Sequence, residues 1–329
     1  MPTTSTRPHR TLRMGKRVLQ VSVTCLAVVG AISLASDESG VGAFRSVAGA
    51  RAYRDAYDRA LQLLPAPRTT TDVTTSYGTV RAHRWESATT RGRTPVLLLP
   101  GRTSGSPMWV ENLAGIAAIR PVIAVDALGD AGLSVQSAPI TSMADQAAWL
   151  DEVVTELAPD GVHLVGHSFG AATAAAYARA HPQRVRTLTL LEPVFVLGYP
   201  PARVFGLATL TTLPLMPESI RQWSLEQIGG GAPADPDDPT AQMIALGARH
   251  YRADLPTPDL LTDSDLGALT MPTYVALAGR DSLAGGESAA ERARQLPHAT
   301  VKVWPGTTHS LPLEVPDALL GDLRTLWDA

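Results

Sequence analysis

The chain has 329 residues, 45% of them hydrophobic and 18% charged, a balance that excludes a disordered chain and a multi-span transporter. Its formal net charge of −3 is unevenly spread: residues 1–35 hold five bases and no acid, leaving 23 bases against 31 acids in the remainder. So acidic a body argues against nucleic acid as a partner, and the single cysteine, Cys25, excludes an intramolecular disulfide.

At the start of the chain, Arg7, Arg10, Arg13, Lys16 and Arg17 precede Val18–Ala35, eighteen residues without a charge. A basic stretch, an apolar run and a small-x-small site, here Ser33-Leu34-Ala35, form the pattern of an export signal. The run lies between the roughly 7–15 residues of a cleaved signal and the roughly 20 of a membrane-spanning helix. Two fates follow, an uncleaved membrane anchor or secretion after cleavage near Ala35; both send residues 36–329 outward, because the basic flank stays inside. A cytosolic tail is the third reading.

Phe44–Leu64 has helical spacing in Phe44, Val47, Tyr53, Tyr57, Leu61 and Leu64 and stops at Pro65 and Pro67, so residues 36–68 predict a helix and a linker. Two alternating runs, Asp72–Tyr77 and Thr79–Trp85, meet at Gly78 and predict an antiparallel hairpin. The pattern then changes to continuous apolar runs at Val96–Leu99, Val122–Val125, Val162–Val165, Leu188–Leu191 and Tyr274–Leu277, as in strands buried on both faces. Helical stretches at Trp109–Ile119, Met143–Leu157 and Phe169–Ala180 separate them. This alternation predicts an α/β fold with a doubly wound, mainly parallel sheet.

Between Glu192 and Met271 the alternation lapses: Val204–Leu213 and Ile220–Ile228 read as helices, and Gly229–Pro239 as a Gly/Pro/Asp-rich loop. Residues 193–271 are therefore expected to form a helical insertion at the carboxyl edge of the sheet, where α/β ligands bind. The sheet resumes at Pro272–Ala278 and Thr300–Trp304, giving a core of residues 69–192 and 272–329.

Chemistry concentrates in His163-Leu164-Val165-Gly166-His167-Ser168-Phe169-Gly170, a G-x-S-x-G set between a buried strand and an Ala-rich helix. The glycines permit a turn too tight for side chains, which presents the Ser168 hydroxyl at the sheet's edge. The following helix points its amino terminus there and favours developing negative charge. A serine hydroxyl needs an adjacent base, and His309 lies in a loop after the last predicted strand, within reach of the same edge. A carboxylate should orient that histidine. Asp281 follows the strand Tyr274–Ala278 and completes the chain order Ser, Asp, His, so it is the expected acid. Glu192, ending the preceding strand at the same edge, is the alternative acid. His167 is read as a packing residue, and Asp126 also ends a strand.

These motifs resemble the α/β-hydrolase superfamily, in particular its esterase-like members with a helical cap, over roughly Thr69 to Ala329. Leu97-Leu98-Leu99-Pro100-Gly101-Arg102 is similar to the family's oxyanion strand and loop, with Pro100 where histidine often stands. Asp126, Gly129, Gly132 and Ser134 are similar to its D-x-x-G-x-G-x-S loop, with one residue more between the glycines, and this resemblance implies a structural role for Asp126. Gly279-Arg280-Asp281 resembles its acid turn, and Gly306 to His309 its histidine loop. The resemblance implies that the backbone N–H groups of Phe169 and Arg102 hold the oxyanion.

The resulting expectation is a serine hydrolase acting on a small-molecule carboxylic ester through Ser168, His309 and Asp281, with no metal and no organic cofactor. The same triad fits cofactor-free perhydrolysis or cleavage of thioesters, amides or C–C bonds. The reading from another class is a small-molecule binding protein that keeps the fold without turnover.

Overall fold

The computed structural model describes residues 40–203, 206–207, 210, 213, 216–228 and 237–328. The expected export segment and most of the expected helix Val204–Leu213 lie outside these residues. Among the described residues no helix is long and apolar enough to cross a membrane.

A two-residue strand β1 (Ala43–Phe44) leads into helix α1 (Val47–Leu61), which starts three residues later than periodicity predicts because the Ser46 side chain caps it by accepting from Gly49 N–H at 3.0 Å. Strands β2 (Thr69–Thr75) and β3 (Gly78–Trp85) form the expected hairpin, with Thr75 paired to Gly78. Then β4 (Val96–Leu99), α2 (Val110–Ile119), β5 (Val122–Val125), a short β6 (Val135–Gln136) and α3 (Met143–Leu157) follow. A reciprocal capping box between Ser142 and Asp145 fixes the start of α3. Next come β7 (Val162–His167), α4 (Phe169–Ala180) and β8 (Val185–Leu191).

The insertion carries α5 (Glu218–Ile228), α6 (Pro239–His250), β9 (Tyr251–Arg252) and α7 (Asp263–Ala268). Its sequence announces α6 only through the Asp238 cap and Pro239 at the first turn. The core closes with β10 (Thr273–Ala278), α8 (Gly286–Ala293), β11 (Ala299–Trp304), α9 (Leu311–Glu314) and α10 (Pro316–Asp328).

The main sheet runs β11-β10-β8-β7-β4-β5-β3-β2, parallel from β11 to β5 and antiparallel at β3 and β2, with β6 paired to β3. This is the doubly wound, mainly parallel sheet that the alternation of runs predicts. Because side chains alternate along a strand, Leu97 and Leu99 face the layer of α3, α4 and α8, whereas Val96 and Leu98 face α2 and α10. The central strands are thus apolar on both sides. The segment that carries β1 and α1 packs on the insertion: β1 pairs antiparallel with β9, and Tyr53 and Tyr57 of α1 cluster with Met243 and Tyr251.

One close approach sets the site. A Cβ on Gly170 would lie 2.4 Å from the Pro100 carbonyl oxygen and 2.5 Å from that of Leu99. Backbone cannot yield as a flexible side chain does, so Gly170→Ala is expected to cost about 3 kcal/mol, read as a lower urea midpoint at unchanged slope.

Candidate active site

Strand β7 ends at His167, and the chain reverses through Ser168 at φ 56 and ψ −120 before α4 begins at Phe169. A β-carbon on Gly166 would lie 2.4 Å from the Gly170 carbonyl oxygen, so glycine at 166 is what lets the turn close. The strained serine is buried to 8% exposure with its hydroxyl at the sheet's carboxyl edge.

His309 follows β11 in the loop before α9, and its Nε2 lies 2.9 Å from Ser168 Oγ. That loop is tied locally: the Thr307 hydroxyl donates to the Trp304 carbonyl, and Thr308 N–H donates to Glu314. On the far side of the imidazole, Nδ1 lies 3.1 Å from Glu192 Oε2. The structure thus brings together Ser168, His309 and Glu192.

The expectation that Asp281 faces His309 is corrected. Asp281 pairs with Arg203 at 3.1 Å on a partly exposed surface. The physical reason lies in the turn after β10, where Asp281 adopts φ 48 and the chain curls back on Glu192. That turn supplies donors, not the carboxylate. Glu192 Oε1 accepts from Ala278 N–H and the Ser282 hydroxyl, both at 2.7 Å, and Oε2 accepts from Leu283 N–H at 2.9 Å as well as facing His309. Complete burial pushes the Glu192 pKa up, but the hydrogen bond and charge of His309, with Ala278 N–H and Ser282, outweigh it and hold the group below the ordinary glutamate value.

The expected oxyanion donors also lie at this edge. Neither the Phe169 nor the Arg102 backbone N–H is taken up by a protein acceptor among the described residues. The loop bearing Arg102 is close to the serine: a Cβ on Gly101 would come within 3.3 Å of Ser168 Cβ. Asp130 holds this loop, accepting from Thr103 N–H at 3.0 Å and pairing with Arg102 Nε at 2.8 Å. The Arg102 guanidinium lies 5.4 Å over the Phe169 ring. Its side chain is therefore spent on Asp130 and Phe169, and Pro100 removes no donor that this arrangement uses. Asp130 escapes sequence reasoning, although it sits in the loop that runs from Asp126 to Ser134. Asp126 is the organiser expected there: its Oδ1 accepts from both the N–H and the hydroxyl of Ser106 at 2.7 Å, and its Oδ2 from Leu133 N–H at 2.7 Å. Among the described residues no cluster of three or more His, Cys, Asp or Glu could hold a metal ion.

Three further histidines are buried, and burial lowers all three, His83 from its ordinary value and two others more strongly. Burial, then the nearby Arg120 and Arg186 cations, lowers His163 to about 4, and burial, then the charge of His309, lowers His167 to about 3. Between pH 6.5 and about 4 the unfolded chain therefore binds protons that the folded chain refuses, so stability is full above pH 6.5 and falls with acidification. The depressed Glu192 acts in the same direction at lower pH. The slope is expected to reach about 2.7 kcal/mol per pH unit near pH 5 from the two histidines. Urea midpoints from pH 7 to pH 4.5 measure it, and His163→Leu should lower the slope.

Residues 96–322 match the model of the alpha/beta hydrolase family. Carboxylesterase YbfK of Bacillus subtilis (strain 168) is 26% identical over 284 residues, 83% of this chain and 93% of the relative. The crystal structure of carboxylesterase CesB (YbfK) from Bacillus subtilis superposes with a TM-score of 0.76 at 24% identity, over 85% of this chain and 98% of that one. Naproxen esterase (carboxylesterase NP) from Bacillus subtilis superposes with a TM-score of 0.75 at 21% identity over the same shares. With the family match spanning the sheet from β4 into α10 and including the serine turn, Glu192 and the histidine loop, the chain belongs to the alpha/beta hydrolase family.

Proposed function

We propose that the protein is a serine hydrolase of small-molecule carboxylic esters, working through Ser168, His309 and Glu192. The observation that carries this reading is the unbroken hydrogen-bonded chain from Ser168 Oγ through His309 to the buried Glu192 carboxylate. Ser168 Oγ attacks the ester carbonyl carbon while His309 Nε2 takes its proton. The carbonyl oxygen becomes an oxyanion facing the Phe169 and Arg102 N–H groups, each such donor contributing about 2.7–4 kcal/mol of transition-state stabilisation. Glu192 fixes the imidazole with Nε2 toward the serine and stabilises the imidazolium. His309 then protonates the departing alkoxide, which leaves as the alcohol. Water, deprotonated by His309, attacks the acyl-enzyme, and the carboxylic acid leaves as Ser168 regains its proton. Every step uses the chain's own residues and water.

The insertion, residues 193–271, is assigned as a cap that shapes the acyl or alcohol subsite. It leaves the sheet directly after Glu192, and its helix α6 reaches the oxyanion loop, where a Cβ on Gly247 would lie 2.6 Å from the Thr103 carbonyl oxygen. The catalytic domain is assigned to the outside of the cell membrane on the charge order of residues 1–35; amino-terminal sequencing of the exported protein and protease accessibility in intact cells test it.

The decisive experiment treats the full chain with a fluorophosphonate and, separately, with p-nitrophenyl esters from acetate to octanoate. The expected result is label on the peptide bearing Ser168 and turnover on part of the panel. A folded protein that neither labels nor turns over would be a binding protein on this fold.

A further inference from the structure

We infer that His167, outside the triad, is a positioning residue that locks the histidine loop and the oxyanion loop onto the serine turn. This rests on the serine-hydrolase reading of the site. Its Nε2 lies 2.8 Å from the His309 backbone carbonyl oxygen. A carbonyl only accepts, so Nε2 carries the proton and Nδ1 is bare. Among the described residues Nδ1 has no hydrogen-bond partner, and it faces the oxyanion loop, since a Cβ on Gly101 would lie 2.8 Å from it. The two imidazole rings lie 4.8 Å apart at 38°. One buried ring therefore touches the serine turn by covalent attachment, the histidine loop by its donor and the oxyanion loop by its other edge.

The consequence is geometric. The His309 ring is held at Nδ1 by Glu192 and faces Ser168 with Nε2, and among the described residues its backbone carbonyl is held by His167 alone. Releasing that carbonyl removes the anchor at His309 itself, while the bonds of Thr307 and Thr308 hold the rest of the loop, and a displacement of about 1 Å between serine and base can cost roughly 10²-fold in rate. Burial with His309 alongside keeps the His167 ring neutral, so the tautomer that donates persists through the pH range in which the enzyme works.

The test compares three variants that differ in where a donor stands. In His167→Phe the ring remains and the donor is lost; in His167→Gln an amide N–H reaches about as far as Nε2; in His167→Asn the amide is too short to reach the carbonyl. For p-nitrophenyl butyrate, His167→Phe and His167→Asn are expected to lose about 10- to 100-fold in kcat with KM within twofold, and His167→Gln to recover most of it. Fluorophosphonate labelling of Ser168 should slow in the same order, with melting temperatures that do not follow that order. Wild-type kcat in His167→Phe, or equal losses in Gln and Asn, would overturn the inference. Should His167→Phe not fold, the Gln and Asn pair alone decides it. An inert wild-type protein, by contrast, would overturn the serine-hydrolase reading itself.

Discussion

Replacing Ser168 by alanine is expected to lower kcat by about 10⁶-fold while leaving the fold intact. The loss is this large because no neighbouring oxygen can replace Oγ in line with His309 Nε2, which approaches it to 2.9 Å. A small residue should survive: the oxyanion donors and substrate binding alone leave roughly 10³–10⁴-fold catalysis over water. The fold is preserved because serine and alanine bear the same penalty at φ 56, so the substitution adds no backbone strain. Active-site titration alongside ester kinetics checks the result, and a melting temperature within a few degrees of wild type certifies the fold. A Ser168→Ala protein retaining more than a hundredth of wild-type kcat would remove Ser168 from the role of nucleophile.

Glu192→Gln is expected to cost about 10⁴-fold in kcat, whereas Asp281→Asn should change it less than about threefold. The glutamine is nearly isosteric but offers one acceptor oxygen where the carboxylate offers two. Glu192 faces Ala278 N–H and the Ser282 hydroxyl with one oxygen, and Leu283 N–H and His309 Nδ1 with the other. Whichever way the amide turns, its NH₂ meets donors. If it turns toward His309, it forces Nδ1 to accept and places the proton on Nε2, where Ser168 needs a lone pair. If it turns away, it strands Ala278 N–H in a buried site. Asp281→Asn removes only a partly exposed pair with Arg203, worth about 0.2–1 kcal/mol. Kinetics of the two variants on one ester, with near-ultraviolet circular dichroism to confirm packing, separate the cases. The reverse ranking would return the acid to Asp281.

Two carboxylates, Asp281 and Glu192, compete in the sequence for the place beside His309. Both candidates follow apolar strands, and β8 and β10 are neighbours in the parallel sheet that end at the same edge. Strand periodicity therefore brings both carboxylates to the site and cannot rank them. What ranks them is the path of residues 279–283, whose N–H and hydroxyl groups converge on Glu192 while Asp281 turns outward at φ 48. The join between the amino-terminal strand and the insertion is likewise hidden. Strand β1 is two residues long and its partner β9 lies some two hundred residues away, so neither carries a local pattern.

By itself the sequence determined the alternation of buried strands and helices, the parallel core, the strand–serine–helix turn and the arrival of His309 at the same edge. These follow from short-range causes: side-chain periodicity, caps, and glycines where a Cβ would strike backbone. Only the tertiary structure decided that Glu192 faces His309, that Asp130 holds the Arg102 loop and that His167 grips the His309 carbonyl. Each is a contact between segments far apart in the chain, set by where a loop points its donors after the strands have packed, and loop direction leaves no period to read.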